Sequence, residues 1–183
     1  FVIGGLTGVM LAMVPFNTQA HDSYFVVAHL HYVLVGGFVF PMLAGIYHWL
    51  PHISGKQSLY KLSIPAFWLI FVGFNLTFFL MHLTGLMGMP RRISTYPSNW
   101  GWDWLNLLSS VGGFVLTMGF ALVLADLVLQ FRFGQRFRRD PWQAQTLEWA
   151  TPTPPPSYNF AAIPRIDERA DGLEPAKIGP VLA

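Results

Sequence analysis

The 183-residue chain contains no cysteine and few charged side chains. The missing cysteine excludes disulfides, cysteine-ligated iron–sulfur clusters and thiolate copper sites built from this chain. Charged residues form 11% of the sequence and hydrophobic residues 53%, whereas soluble domains contain about 25% charged residues. The formal net charge is only +2, and no run of basic residues favours nucleic acid as a partner. This composition indicates a membrane protein that lies in a lipid bilayer.

Apolar runs separated by polar segments predict an all-α fold, a transmembrane helical bundle. Residues 1–14 are apolar but fall short of the roughly 20 residues that cross a bilayer. We therefore expect them to be the second half of a truncated helix that starts upstream. Three full spans are predicted, at about 22–50, 62–87 and 104–131. The segments 15–19, 51–61 and 88–103 are predicted to be polar turns and loops.

Two regions follow from this pattern. Residues 1–133 form the membrane region, with one truncated helix and three full helices. Residues 134–183 contain few apolar runs and the cluster Pro154, Pro155 and Pro156. We predict that this C-terminal tail is extended and lies against partner surfaces, or is disordered at its end.

Basic residues near the spans predict the orientation, because they are enriched on the cytoplasmic side. One side holds six of them: Lys56, Lys61, Arg132, Arg136, Arg138 and Arg139. The opposite side holds only Arg91 and Arg92. The tail is therefore predicted to be cytoplasmic, and the two arginines to lie on the outer side at the level of His21 and Asp22.

Small and polar residues inside the spans predict local packing. Gly4, Gly5 and Gly8 permit close helix contacts, as small residues do in membrane bundles. A glycine pair followed by Pro41 predicts a kink in the second span. Asn75 predicts an interhelical hydrogen bond. For His82 a structural role and a place beside a water-lined path both remain open.

The stretch from Ala20 to Gly37, AHDSYFVVAHLHYVLVGG, carries the strongest functional signal. His29 and His31 are two residues apart, so on a helix they point to opposite sides, about 200° apart. They would then serve two sites, and imidazole ligates metal ions and haem iron. His21 and Asp22, two turns earlier, suit a divalent ion near the membrane surface. From the spacing alone, buried histidines that only form hydrogen bonds remain an equal alternative.

The motifs HDSYFVVAHLHYVL, NLTFF and GMPRR closely resemble subunit I of the haem–copper cytochrome c oxidases. The opening GGLTGVMLA and the tail pattern DPWQAQTLEWATPTPPPSYNF resemble it too, and the tail is similar to bacterial members. The resemblance covers the chain up to about Ile163. It implies that the chain is the C-terminal third of a twelve-helix subunit and holds its last four helices.

The resemblance also implies roles for six residues. His29 matches the axial ligand of the high-spin, oxygen-binding haem and is the catalytic candidate, and His31 matches one ligand of the low-spin haem. Arg91 and Arg92 match a pair that binds haem propionates, in keeping with the fork-like donors of arginine. His21 and Asp22 match ligands of a magnesium or manganese ion. Leu30 and Asn17 depart from the common pattern, which has Phe and Asp at these places.

The implied function is reduction of oxygen to water with electrons from cytochrome c, coupled to proton pumping. The implied cofactors are two haems of the A type, the Mg or Mn ion, and copper B with ligands outside this chain. The implied partners are the rest of subunit I, subunits II and III, and cytochrome c, in a bacterial plasma membrane. The chain alone would then be incomplete and inactive.

Three alternatives stay open from the sequence. A non-catalytic dihaem electron-transfer protein would explain His29 and His31 equally well. A structural or transporter-like scaffold would leave these histidines as packing groups. Within the haem–copper oxidase family that the chain resembles, a quinol oxidase or a nitric-oxide reductase is a further alternative to a cytochrome c oxidase.

Overall fold

The computed structural model describes residues 1–58, 60–136, 141–142, 144 and 146–160. Helices dominate these residues. They are α1 (Val2–Ala12), α2 (Val14–Ala20), α3 (Tyr24–Leu34), α4 (Phe40–Ser54), α5 (Ser63–Leu86) and α6 (Asp103–Phe133), with a π-helical segment at Val35–Val39. Two short strands, β1 (Lys56–Gln57) and β2 (Gln135–Arg136), pair antiparallel. Single 3₁₀ turns lie at Ser98–Trp100 and Leu147–Ala150.

Three of the helical stretches are long and apolar enough to cross a membrane, which confirms the predicted spans. They are Tyr24–Ser54, Ser63–Leu86 and Asp103–Phe133, with 31, 24 and 31 residues. The helix Val2–Ala12 continues into Val14–Ala20 through a bend of 101°. The fold is therefore all-α, a membrane bundle.

The prediction of a polar turn at residues 15–19 is wrong, because these residues lie within α2. Met13 has an extended backbone and breaks the helix, and Pro15 then lies in the first turn of α2. Proline is well tolerated there, since the first turn of a helix has no partner for its backbone N–H groups. The predicted loop at 51–61 is also too long, because α4 continues to Ser54 and includes Pro51.

The second span begins two residues later than predicted. Ser23 caps α3 by accepting the backbone N–H of Phe25 at 3.2 Å, so Asp22 lies outside the helix. The glycine pair lies in the π-helical segment, and a Cβ at Gly37 would lie 3.1 Å from the Phe1 ring, so the glycine permits close approach there. Pro41 follows this segment, inside the continuous helical span Tyr24–Ser54.

The first of two compact units comprises residues 1–44 and 62–125. In it α3 packs between α1 and α5, and glycines set the closest approaches. A Cβ at Gly85 would lie 2.7 Å from Cα of Phe25, and one at Gly112 would lie 2.6 Å from the backbone nitrogen of Thr77. The Tyr32 hydroxyl donates to Oδ1 of Asn75 at 2.8 Å, which confirms the interhelical hydrogen bond predicted for Asn75.

The second unit comprises residues 45–61 and 126–183, of which the structure describes the parts named above. Lys56 pairs with Arg136 across β1 and β2, and the Gln130 amide donates to the Lys56 carbonyl at 2.9 Å. Two tail tryptophans contact the end of α4: Trp142 stacks on His48, and Trp149 meets His48 edge-on. The described tail thus contacts its own chain.

The predicted division at residue 133 stays a prediction, as does the contact of the tail with partners. The end of that tail, residues 161–183, and the arginines at 138 and 139 lie outside the described residues.

Candidate functional site

His29 lies on the side of α3 that faces α1, and its ring is held by a backbone carbonyl. Its Nδ1 atom is 3.0 Å from the carbonyl oxygen of Gly4 and 3.1 Å from Oγ1 of Thr7. A carbonyl oxygen only accepts hydrogen bonds, so Nδ1 carries the proton and donates it. In this tautomer the lone pair of Nε2 is free for a metal ion or haem iron.

The absence of a side chain at Gly8 makes room for this ring. A Cβ at Gly8 would lie 2.9 Å from Cε1 of His29, closer than such atoms approach in proteins. Gly5, in the same helix, has open space where its Cβ would lie. The sequence marked both glycines as packing residues, but only the structure separates the one that contacts the histidine.

His31 lies against α5 and not against α1. Its ring stacks on Phe78 with centroids 4.0 Å apart and an interplanar angle of 11°. Its Nδ1 is 2.7 Å from the carbonyl oxygen of Val27, one turn earlier. Nδ1 is again the donor, so Nε2 is free to act as a ligand. As the spacing predicts, the two histidines face different neighbours.

A second cluster joins two loops that are far apart in sequence. Nε2 of His21 lies 3.3 Å from Oδ2 of Asp22, and Arg91 forms an ion pair with Oδ1 of the same carboxylate. The Arg91 backbone N–H donates to the Asp22 carbonyl at 2.8 Å, and Ser23 pairs with Pro90 in an isolated β-bridge. The structure therefore brings three predicted site residues, His21, Asp22 and Arg91, together.

Arg92, the fourth residue predicted for this level, is exposed beside the cluster. It has a φ of 64° and Asp22 a φ of 57°, conformations that residues other than glycine seldom adopt. Both strained positions flank the β-bridge between the loops. This backbone turn directs the two neighbouring arginines differently, so that only Arg91 reaches Asp22.

Within the described parts of the chain, no group of three or more histidine and carboxylate side chains is close enough to hold a metal ion. His21 and Asp22 supply two donors, and both are more than half exposed. An open cleft of about 390 Å³ lies beside His21, and Asn17 and Thr18 also line it. Among the described residues, a divalent ion here would thus have two charged or imidazole donors, His21 and Asp22.

The sequence did not predict that Gly4 and Thr7 contact His29. The sequence predicted that Gly4, Gly5 and Gly8 permit close packing, and the structure places the Cβ position of Gly8 and the carbonyl of Gly4 against His29. No feature of the sequence indicates that the Gly4 carbonyl accepts the histidine proton.

Two histidines on one membrane helix, each with Nδ1 against a backbone carbonyl, are donors of the kind that ligate metal ions or haem in membrane proteins. The family model "Cytochrome C and Quinol oxidase polypeptide I" matches residues 1–115. The chain belongs to this family of haem–copper oxidase subunits.

Curated relatives agree with the family. The chain is 48% identical over 167 residues to "Cytochrome c oxidase subunit 1" of Alkalihalophilus pseudofirmus, with 91% of this chain and 27% of that protein covered. It is 44% identical over 169 residues to "Quinol oxidase subunit 1" of Bacillus subtilis, with 91% and 26% covered. The chain thus spans about a quarter of the length of these relatives.

A solved structure supports the fold. The cryo-EM structure of a haem–copper terminal oxidase dimer matches 75% of this chain and 26% of its own chain, with a TM-score of 0.65 and 27% identity. The relatives of this chain thus include both a cytochrome c oxidase subunit and a quinol oxidase subunit.

Proposed function

We propose that this chain is part of the catalytic subunit of a proton-pumping terminal oxidase that reduces oxygen to water with electrons from cytochrome c. The observation that carries the proposal is the shared state of His29 and His31. Each ring donates from Nδ1 to a backbone carbonyl and keeps Nε2 free, on opposite sides of one helix. This arrangement supports the proposal, because each ring could ligate a separate haem iron through its Nε2.

His29 is proposed as the axial ligand of the high-spin haem. The Gly4 carbonyl and the Thr7 hydroxyl fix the orientation of the ring, and the hydrogen bond from Nδ1 raises the basicity of Nε2. With copper B, whose ligands lie outside this chain, that haem would supply the metals at which oxygen is reduced. The role of His29 is to hold the iron and tune its redox behaviour.

His31 is proposed as one ligand of the low-spin haem, with the second ligand outside this chain. Its stacking on Phe78 and its bond to Val27 limit rotation of the ring. Both haems are proposed to be of the A type. A ligand whose ring is fixed in this way favours electron transfer, because the iron site reorganises little.

Arg91 and Arg92 are proposed to bind haem propionates, and His21 with Asp22 to bind Mg²⁺ or Mn²⁺. The contact of Arg91 with Asp22 supports one combined site, because it brings the proposed propionate ligand to the proposed metal ligand. The remaining metal ligands would come from subunit II. We place this cluster on the outer side of a bacterial plasma membrane and the tail in the cytoplasm.

The test uses the intact oxidase in which this chain is a part of subunit I. We expect His29→Ala to remove the high-spin haem signal from the optical spectrum and His31→Ala to alter the low-spin signal. His21→Ala is the matched control from the same segment, because it should leave both haem signals and weaken Mn²⁺ binding. The reverse assignment, or two unchanged haem spectra, would contradict the proposal.

A quinol-oxidising function is the second candidate, and the 44% identity to a quinol oxidase subunit supports it. Comparing oxidation of reduced cytochrome c with oxidation of quinol by the purified complex distinguishes the two donors. A non-catalytic dihaem protein would contain two haems but no copper, so the copper content of the same complex tests this alternative.

A further inference from the structure

The second compact unit buries an acidic side chain that the proposed haem and metal sites do not use. Asp126 lies in α6 and is 0% exposed, and carboxyl groups within membrane helices are rare. Charged groups in membrane spans are costly and mark functional sites by default. Asp126 therefore needs either partners that neutralise it or a function that needs a carboxyl group.

Two hydroxyl groups face this carboxyl. Ser58, in the loop after β1, donates to Oδ1 of Asp126 at 3.0 Å. The Tyr47 hydroxyl, from α4, is close enough to interact with the same carboxyl group. Both the Tyr47 oxygen and Oδ2 of Asp126 are buried and have no hydrogen-bond partner among the described residues.

The positive charge nearest in sequence is already engaged. The ammonium group of Lys56 donates to the carbonyl of Phe131 at 2.5 Å, and Gln130 donates to the Lys56 carbonyl. Neither side chain pairs with Asp126. Tyr47 is thus a titratable group that interacts with the Asp126 carboxyl, whereas the ammonium group of Lys56 is directed to a backbone carbonyl.

These groups form a line from the loop into the membrane region. Ser58 is half-buried, while Asp126 and the Tyr47 oxygen are fully buried. Asp126 and Tyr47 each lie seven residues before the end of their helix, which is roughly 10 Å along the axis. We propose that Asp126 is a proton-exchange site, loaded from the loop through Ser58, with Tyr47 as the neighbouring hydroxyl.

Loading transfers one proton from outside the loop to Asp126 through Ser58. A hydronium ion outside the loop gives a proton to the Ser58 oxygen and becomes water, while the Ser58 hydroxyl hydrogen moves to Oδ1 of Asp126. One O–H bond of the hydronium ion and the former Ser58 O–H bond break, one O–H bond forms on Ser58 and one on Asp126, and the carboxylate becomes a neutral acid. No electron is transferred, and unloading reverses the step.

A purely structural role makes a different prediction. If Asp126 only accepts hydrogen bonds and holds the loop, asparagine can replace it, because its amide oxygen also accepts from Ser58. Proton exchange, by contrast, requires the carboxyl group. Asp126→Asn therefore separates the two roles, and Asp126→Glu is the variant that keeps the chemistry.

The experiment rests on the proposed oxidase function and uses the intact oxidase. We expect redox-induced infrared difference spectra of the parent to contain a carboxylic acid band that shifts in D₂O. The band should be absent in Asp126→Asn, retained in Asp126→Glu and shifted in Tyr47→Phe. Asp103→Asn, at the exposed start of the same helix, is the matched control and should leave the band unchanged.

Optical haem spectra of each variant keep the outcomes separate. Normal haem spectra with identical carboxyl bands in the parent and Asp126→Asn would overturn the proton-exchange site and leave the oxidase proposal intact. Missing haem signals in the parent complex would contradict the proposed oxidase function itself. If Asp126→Asn fails to assemble, the Tyr47→Phe variant decides the question. A shifted carboxylic acid band supports the proton-exchange site, and an unchanged band contradicts it.

Discussion

The Nδ1 atom of His29 donates a hydrogen bond to the carbonyl oxygen of Gly4 across a distance of 3.0 Å. This bond joins α1 to α3 and determines which nitrogen of the ring is free. Because α1 approaches closely only through small residues, the chemistry of His29 depends on the packing of a helix that carries no ligand itself.

Gly8→Ala is predicted to disturb His29. The new Cβ would lie 2.9 Å from Cε1 of the ring, so the ring or the helix must move. We expect a weaker or shifted high-spin haem signal in the optical spectrum of the intact oxidase. Gly5→Ala is the control, because open space surrounds its Cβ position and the helix propensity gained is the same, roughly 1 kcal/mol. Equal effects of the two substitutions would contradict this role of Gly8.

Arg91→Ala is predicted to affect electrostatics more than folding. Asp22 is 54% exposed, and such ion pairs contribute about 0 to 1 kcal/mol, so thermal stability should change little. Loss of a positive charge near propionates should lower the midpoint potential of a haem, as measured by redox titration. Arg91→Lys keeps the charge and serves as the control. An unchanged potential in Arg91→Ala would count against propionate binding.

The sequence predicted the spans and the different directions of His29 and His31 because both depend on simple patterns. Hydropathy and length identified the three long helices, and the spacing of His29 and His31 predicted that they face different sides. The sequence did not predict the bend at Met13, because proline is common both in loops and in the first turn of a helix, where Pro15 lies. Local sequence does not distinguish these two uses.

The sequence did not predict which residues of distant segments contact each other. The bond from His29 to Gly4 and the contact of Ser58 with Asp126 each depend on how two helices or a loop and a helix pack. Arg91 and Asp22 were predicted to lie at one level, but their ion pair follows from the β-bridge between Ser23 and Pro90. The pattern of residue types predicts that Arg91 and Asp22 lie at the same membrane depth. Their pairing depends on the backbone of the two loops that carry them.

Among substitutions that add one methyl group to the α3–α5 contact, Gly85→Ala is predicted to destabilise the subunit most. Its Cβ would lie 2.7 Å from Cα of Phe25, and backbone atoms cannot move aside as a flexible side chain can. Overpacking of this kind costs about 1 to 3 kcal/mol or more, and it would separate the helix that carries both histidines from α5. We expect a lower thermal unfolding temperature of the intact subunit and an altered low-spin haem spectrum, since His31 stacks on Phe78 of α5.

Gly113→Ala is the matched control for this substitution. Gly113 also lies in a membrane helix, and its Cβ position has no atom within 4 Å. It should assemble with normal haem spectra and equal or slightly higher stability, because alanine favours a helix over glycine. If Gly85→Ala and Gly113→Ala unfold at the same temperature, close packing of α3 on α5 does not control the position of the histidines.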